Sequence, residues 1–132
     1  PDVPQLLVLV YPTDSVSANQ LLFDVARHNF SSFIVKDFDL EQMNFGQLGM
    51  LLVKGFANLD ELNHYRRVMQ ADGGLALPPE VRPVMISVDN FNKLIQQGRS
   101  FDEYFRYLDD AIIDSLDPDT PTETETDQKE SD

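Results

Sequence analysis

The sequence predicts an α+β domain, and two observations carry that expectation. Local patterning reads strand, helix, strand, strand, helix, strand, and the two most apolar strands fall first and third in that series. They are Leu6-Leu7-Val8-Leu9-Val10-Tyr11 and Met50-Leu51-Leu52-Val53. A strand that is apolar on successive residues needs cover on both faces or a protected central place in a sheet. In the split βαβ, or ferredoxin-like, arrangement the antiparallel sheet has the strand order 4-1-3-2, so strands one and three form its central pair. Element order and apolar placement thus agree on a βαββαβ fold.

The first helix opens at Ser17, with Gln20 three residues on to complete a capping box and Val16 and Leu21 at the staple positions. Leu21, Leu22 and Val25 make its apolar stripe, and the helix is expected to fray near Asn29. Strand two is expected from Ser32 to Leu40, carrying Phe33, Ile34, Val35 and Phe38; its Lys36, Asp37 and Asp39 suit a sheet edge. Gly46 and Gly49 punctuate the loop that follows. Asn58 and Glu61 repeat the capping chemistry for the second helix, whose inward residues are Leu62, Tyr65 and Met69, and Gly73-Gly74 ends it. Strand four runs from about Val81 to Val88, where Pro83 fits an edge position.

Two helices are expected beyond this core. Asp89 caps a short one with Phe91, Leu94 and Ile95, stopped by Gly98. Ser100 and Glu103 open a second, with Phe101, Tyr104, Phe105, Leu108 and Ile112 on one stripe. That stripe is expected either to pack back on the domain, which is the preferred reading, or to await a partner. From Asp117 to Asp132 the chain holds seven acidic residues and one lysine, a net of -6 out of -13, with Thr and Pro between them. Such a composition predicts a disordered tail. The expected organisation is therefore one α+β domain with a C-terminal helical extension over residues 1–116, and an acidic tail over 117–132.

Composition excludes several functions. There is no Cys, hence no disulfide and no thiolate metal site. The ten Lys and Arg are scattered through an acidic chain, which argues against nucleic acid as a partner. No apolar run approaches the roughly 18 residues of a membrane span, so no membrane insertion is expected within this chain. Pro1 in place of a starting Met reads as a processed chain or a piece of a longer one.

Candidate chemistry is sparse. His28, near a helix C-terminus, and His64, one turn after Asp60, read as surface helix residues. Asp60 and His64 supply at most two metal ligands, and neither histidine accompanies a nucleophile-elbow motif. Lys54-Gly55-Phe56 matches the start of an RNA-recognition signature, but Ala57-Asn58-Leu59 turns into a helix cap instead of offering a second stacking aromatic. The pairs Asp102-Glu103 and Asp109-Asp110 read as solubilising helix surface. No cofactor, no metal and no catalytic residue is expected.

Two resemblances enter at this point. Leu52-Val53-Lys54-Gly55-Phe56-Ala57-Asn58-Leu59-Asp60-Glu61, followed by Tyr65, Met69 and Gly73, resembles the second half of a SPOR domain. Leu9-Val10-Tyr11-Pro12 into Ala18-Asn19-Gln20-Leu21-Leu22 is similar to its first half, without the Gly-Ser-Phe turn. That likeness covers about residues 6–88 and implies a septal module that binds peptidoglycan glycan on its sheet face. A closer resemblance spans about residues 1–110. Pro4 to Pro12, Phe30 to Phe38, and Ile86-Ser87-Val88-Asp89-Asn90-Phe91 through Tyr104, Phe105 and Leu108 resemble the small α+β domain that ends large tetratricopeptide-repeat lipoproteins of the Bacteroidota, of the gliding-motility and type IX secretion kind. The Gly73–Glu80 insertion and the acidic tail depart from it.

The second resemblance implies a non-catalytic protein-interaction domain in the cell envelope, periplasmic or outer-membrane-associated, acting on a protein partner as a monomer or weak dimer. Peptidoglycan binding is the alternative, and a small hydrolase or transferase is third. Phe56, Tyr11, Phe101, Tyr104 and Phe105 are the candidate interaction residues, with an edge strand or the Gly73–Glu80 loop as the surface if the aromatic stripe packs inward.

Overall fold

Leu6, Leu7, Val8, Leu9, Val10 and Tyr11 are buried without interruption, so the strand that carries them is covered on both faces. In the computed structural model, which describes residues 2–96, this is β1 (Gln5–Pro12). It is followed by α1 (Ala18–Ser32), β2 (Asp39–Phe45), β3 (Leu48–Phe56), α2 (Leu59–Gln70), β4 (Arg82–Ser87) and α3 (Val88–Gln96). The four strands form one antiparallel sheet in the order β2-β3-β1-β4. This is the 4-1-3-2 order expected from the sequence, with the two apolar strands at the centre. The strands, α1 and α2 belong to a compact unit that ends at Lys93. The expected helix with Phe101, Tyr104 and Phe105, and the acidic tail, lie outside the described residues.

One core cluster joins Leu7, Leu9, Tyr11, Leu51, Val53 and Phe56 of the sheet to Leu21 and Val25 of α1 and to Leu62, Tyr65 and Met69 of α2. On α2 these are the residues expected to face inward. Burying side chains of this size stabilises by roughly 1.5–3 kcal/mol each. The strand residues between them, Leu6, Val8, Val10, Met50 and Leu52, point to the other face and are equally buried.

Capping follows the sequence closely. Gln20 N donates to Ser17 Oγ, and Glu61 N donates to Asn58 Oδ1. The reciprocal halves differ from a full capping box: Gln20 Nε2 donates to Asp24 Oδ1, while Glu61 Oε1 accepts from Ala57 N. At α3 the cap is two residues earlier than expected, because Ser87 Oγ, rather than the Asp89 side chain, caps the helix by accepting from Asn90 N.

Strand two is corrected. Ser32 still belongs to α1, which runs past Asn29, and Phe33 caps it by donating its N–H to Asn29 O. Residues 34–38 form a connection, and β2 begins only at Asp39. Gly46-Gln47 then makes a two-residue hairpin turn, so Gly49 lies inside β3, paired with Tyr11. β2 and β4 are the sheet edges, as expected, although of the three charges assigned to the first edge only Asp39 lies on the strand.

Lys54-Gly55-Phe56 has a structural explanation. The β1–β3 register slips at Gln5/Leu6: Leu6 pairs with Lys54, but Gln5 pairs with Phe56. Gly55, at φ 122°, is the extra residue of this bulge. The slip turns Phe56 to the face of Leu51 and Val53, beneath the helices.

Candidate functional site

The helix α1 has two characters. Leu21, Val25, His28 and Asn29 are buried, whereas Phe23 and Phe30, on the opposite side, are 59% and 87% exposed. Past the helix end, Ile34 is 91% and Val35 100% exposed. Large apolar side chains this open, grouped at one corner, are uncommon on a soluble surface and mark places where something docks. Arg27 partly shields Phe23, its guanidinium lying 5.6 Å from the ring centroid.

Beside these residues lies a cleft of about 380 Å³, lined by Ala26, Asn29 and Phe30 of α1, by Phe33, Ile34, Lys36, Asp37 and Phe38, and by Leu40 of β2. An aromatic cluster fixes its inner wall. Phe33 stacks on Tyr65 with centroids 5.1 Å apart, and Phe38 packs edge-on to both Phe33 and Tyr65 and tilted against Phe56. Gly55 adopts φ 122°, a backbone conformation L side chains rarely take, directly beside Phe38; a Cβ there would make an ordinary contact, 3.4 Å from Phe38 Cδ1. At the rim, Lys36 Nζ lies 3.7 Å from a carboxylate oxygen of Glu61. On the sheet edge Glu41 pairs with Lys54, and Gln42 donates to Ala18 O of α1.

The polar groups under the corner are few and specific. Tyr65 Oη donates to Asn29 Oδ1 at 2.5 Å in the buried interior. Burial pushes the Tyr65 phenol well above its ordinary range, and the bond to Asn29 draws it only partly back. Asn29 Nδ2 has no acceptor. His28 corrects the sequence reading: it is buried rather than on the surface, edge-on to Phe33 and Tyr65, and desolvation lowers its pKa. Ser32 Oγ is 3.4 Å from His28 Nδ1, and the opposite nitrogen, Nε2, is buried without a partner. Among the described residues no acid orients the ring as the third member of a hydrolytic triad would. His64 is exposed, as expected, and lies near Phe33. Among the described residues no group of three or more His, Asp or Glu side chains is placed to hold a metal ion.

The expected interaction residues are redistributed. Tyr11 and Phe56 are 1% and 2% exposed and belong to the core beneath the helices, so neither offers an accessible surface. Burial also raises the Tyr11 phenol pKa, and its hydroxyl finds no partner. Phe101, Tyr104 and Phe105 lie outside the described residues. In the Gly73–Glu80 loop Leu75 and Leu77 pack against the core. Phe23 and Phe30 were missed, although their spacing of seven places them on one helix face opposite Leu21 and Val25. Ile34 and Val35, expected on strand two, lie in the connection that precedes it. Comparison with known proteins finds no matching family model, no matching curated protein and no matching solved structure.

Proposed function

We propose that this chain is a ferredoxin-like, non-catalytic protein-interaction module that docks a partner protein at the corner between α1 and β2. The wider setting we propose is assembly in the cell envelope, at the end of a larger tetratricopeptide-repeat protein, as the sequence resemblance implies. The observation that supports docking is the grouping of Phe30, Ile34 and Val35, each more than four-fifths exposed, beside an apolar cleft. Glycan binding on the sheet has less support. The face away from α1 and α2 holds Leu6, Val8, Val10 and Leu52, all at most 3% exposed.

A photo-crosslinking residue at Val35, introduced in the native host, tests the reading. A discrete adduct is expected, lost when Phe30→Glu is added and absent when the crosslinker sits instead at exposed Glu80. An absence of adducts at Val35, or retention on isolated peptidoglycan that Phe30→Glu leaves unchanged, would overturn it.

A further inference from the structure

The docking surface continues into β2, an edge of the sheet among the described residues, which narrows the kind of partner it fits. Among the described residues β2 pairs with β3 alone, so no strand among them lies on the other side of residues 39–44. The cleft begins where this edge begins, since Leu40 of β2 lines it and Phe38 closes its wall. β4, the opposite edge, is shorter and carries Pro83, which has no amide to donate. An extended segment pairing with β2 would project alternate side chains toward the α1 side, next to Leu40.

Two further observations bear on the occupant. Asn29 lines the cleft at 8% exposure, and its Nδ2 hydrogen-bonds to nothing. A buried donor left unmade is costly, and a carbonyl reaches this one only once the wall of the cleft opens. The charge of the edge is acidic: Asp37, Asp39 and Glu41 are exposed, Glu41 alone of the three pairs with a cation, Lys54, and the whole chain carries -13. Strands pair best when their charges complement, and two copies of so acidic a chain repel.

Resting on the docking reading above, we propose that the partner contributes an extended peptide segment, flanked by Lys or Arg, that adds a strand to β2 and seats one large apolar side chain in the cleft. Backbone hydrogen bonds to the edge supply register, and the walls formed by Phe30, Phe33, Ile34 and Phe38 select the seated side chain, as in other strand-addition complexes.

The test uses the full chain and synthetic peptides of alternating apolar and polar residues with Lys at both ends, followed by fluorescence anisotropy. Binding is expected to weaken by about tenfold or more with Ile34→Glu, the scale of a lost anchor contact, and likewise with Asp39→Lys. Val35→Glu, at a fully exposed position, supplies a second variant that leaves folding intact, and melting curves confirm this for each. N-methylation of alternate peptide amides is expected to abolish binding in one phase and spare it in the other. Binding indifferent to N-methylation, preference for Glu-flanked peptides, self-association of the chain through this edge, or no binding by any Lys-flanked peptide would each overturn strand addition. None of these outcomes touches the docking reading, which stands or falls on the Val35 crosslink.

Discussion

Tyr65 and Asn29 hold α2 to α1 through one buried hydrogen bond, the Tyr65 hydroxyl donating to Asn29 Oδ1. The bond lies directly behind the cleft, so it couples the stability of the fold to the placement of the docking corner. Tyr65→Phe removes the donor and strands a buried amide. It is expected to cost about 1–3 kcal/mol in denaturant unfolding. Adding Asn29→Leu removes the stranded amide as well, and the double variant is expected to be no less stable than Tyr65→Phe alone. A double variant whose losses simply add would show that the two groups do not act as a pair.

Gly55 allows the bulge that sends Phe56 beneath the helices. At φ 122° an L side chain is strained, and relief of that strain shifts the backbone beside Phe38. Gly55→Ala is expected to destabilise by about 1–3 kcal/mol and to loosen the contact between Phe38 and Phe56. Near-ultraviolet circular dichroism reports that loosening, and an unchanged aromatic signal would count against it.

The central sheet was legible because β1 and β3 announce themselves as continuous apolar runs, and the split βαβ order 4-1-3-2 puts both in the middle. β2 was misplaced for a physical reason. Phe33-Ile34-Val35 has the composition of a strand, yet Phe33 is apolar because it stacks on Tyr65, and Ile34 and Val35 are apolar on an open surface. The true β2 hides its alternation. Only Leu40 on its helix side joins the core, and Gln42, two residues on, instead bonds to the backbone of α1. From the sequence the docking corner therefore reads as part of an edge strand. Tyr11 and Phe56 are surface candidates only on the SPOR resemblance; Tyr11 shares the core face with Leu7 and Leu9, and the bulge that turns Phe56 to that face is not visible in the sequence.

Tyr11 packs across Gly49, its partner on β3. A Cβ on Gly49 would lie 2.5 Å from Tyr11 Cε2 and Cζ, and Tyr11 is too deeply buried to swing away. Gly49→Ala is expected to cost about 1–3 kcal/mol through overpacking. Tyr11→Leu in the same chain makes room and should recover part of the loss in urea melts. No recovery would locate the strain elsewhere.

His28 makes stability depend on pH. Its folded pKa is lowered from 6.5 by burial, and Ser32, Phe33 and Tyr65 around it carry no charge to hold a proton there. As pH falls through about 6.5, the unfolded chain takes up a proton before the folded chain does, so the unfolded state gains. The contribution of the neutral ring is complete above that pH and is lost progressively as pH falls toward the lower folded value. Denaturation midpoints of the wild type are expected to drop between about pH 7 and about pH 5. His28→Phe keeps an aromatic ring beside Phe33 and Tyr65 but has nothing to protonate, and its midpoint is expected to fall less steeply over the same interval. Equal slopes for the two proteins would mean that His28 is solvated in the folded state and that the corner is looser than its geometry implies.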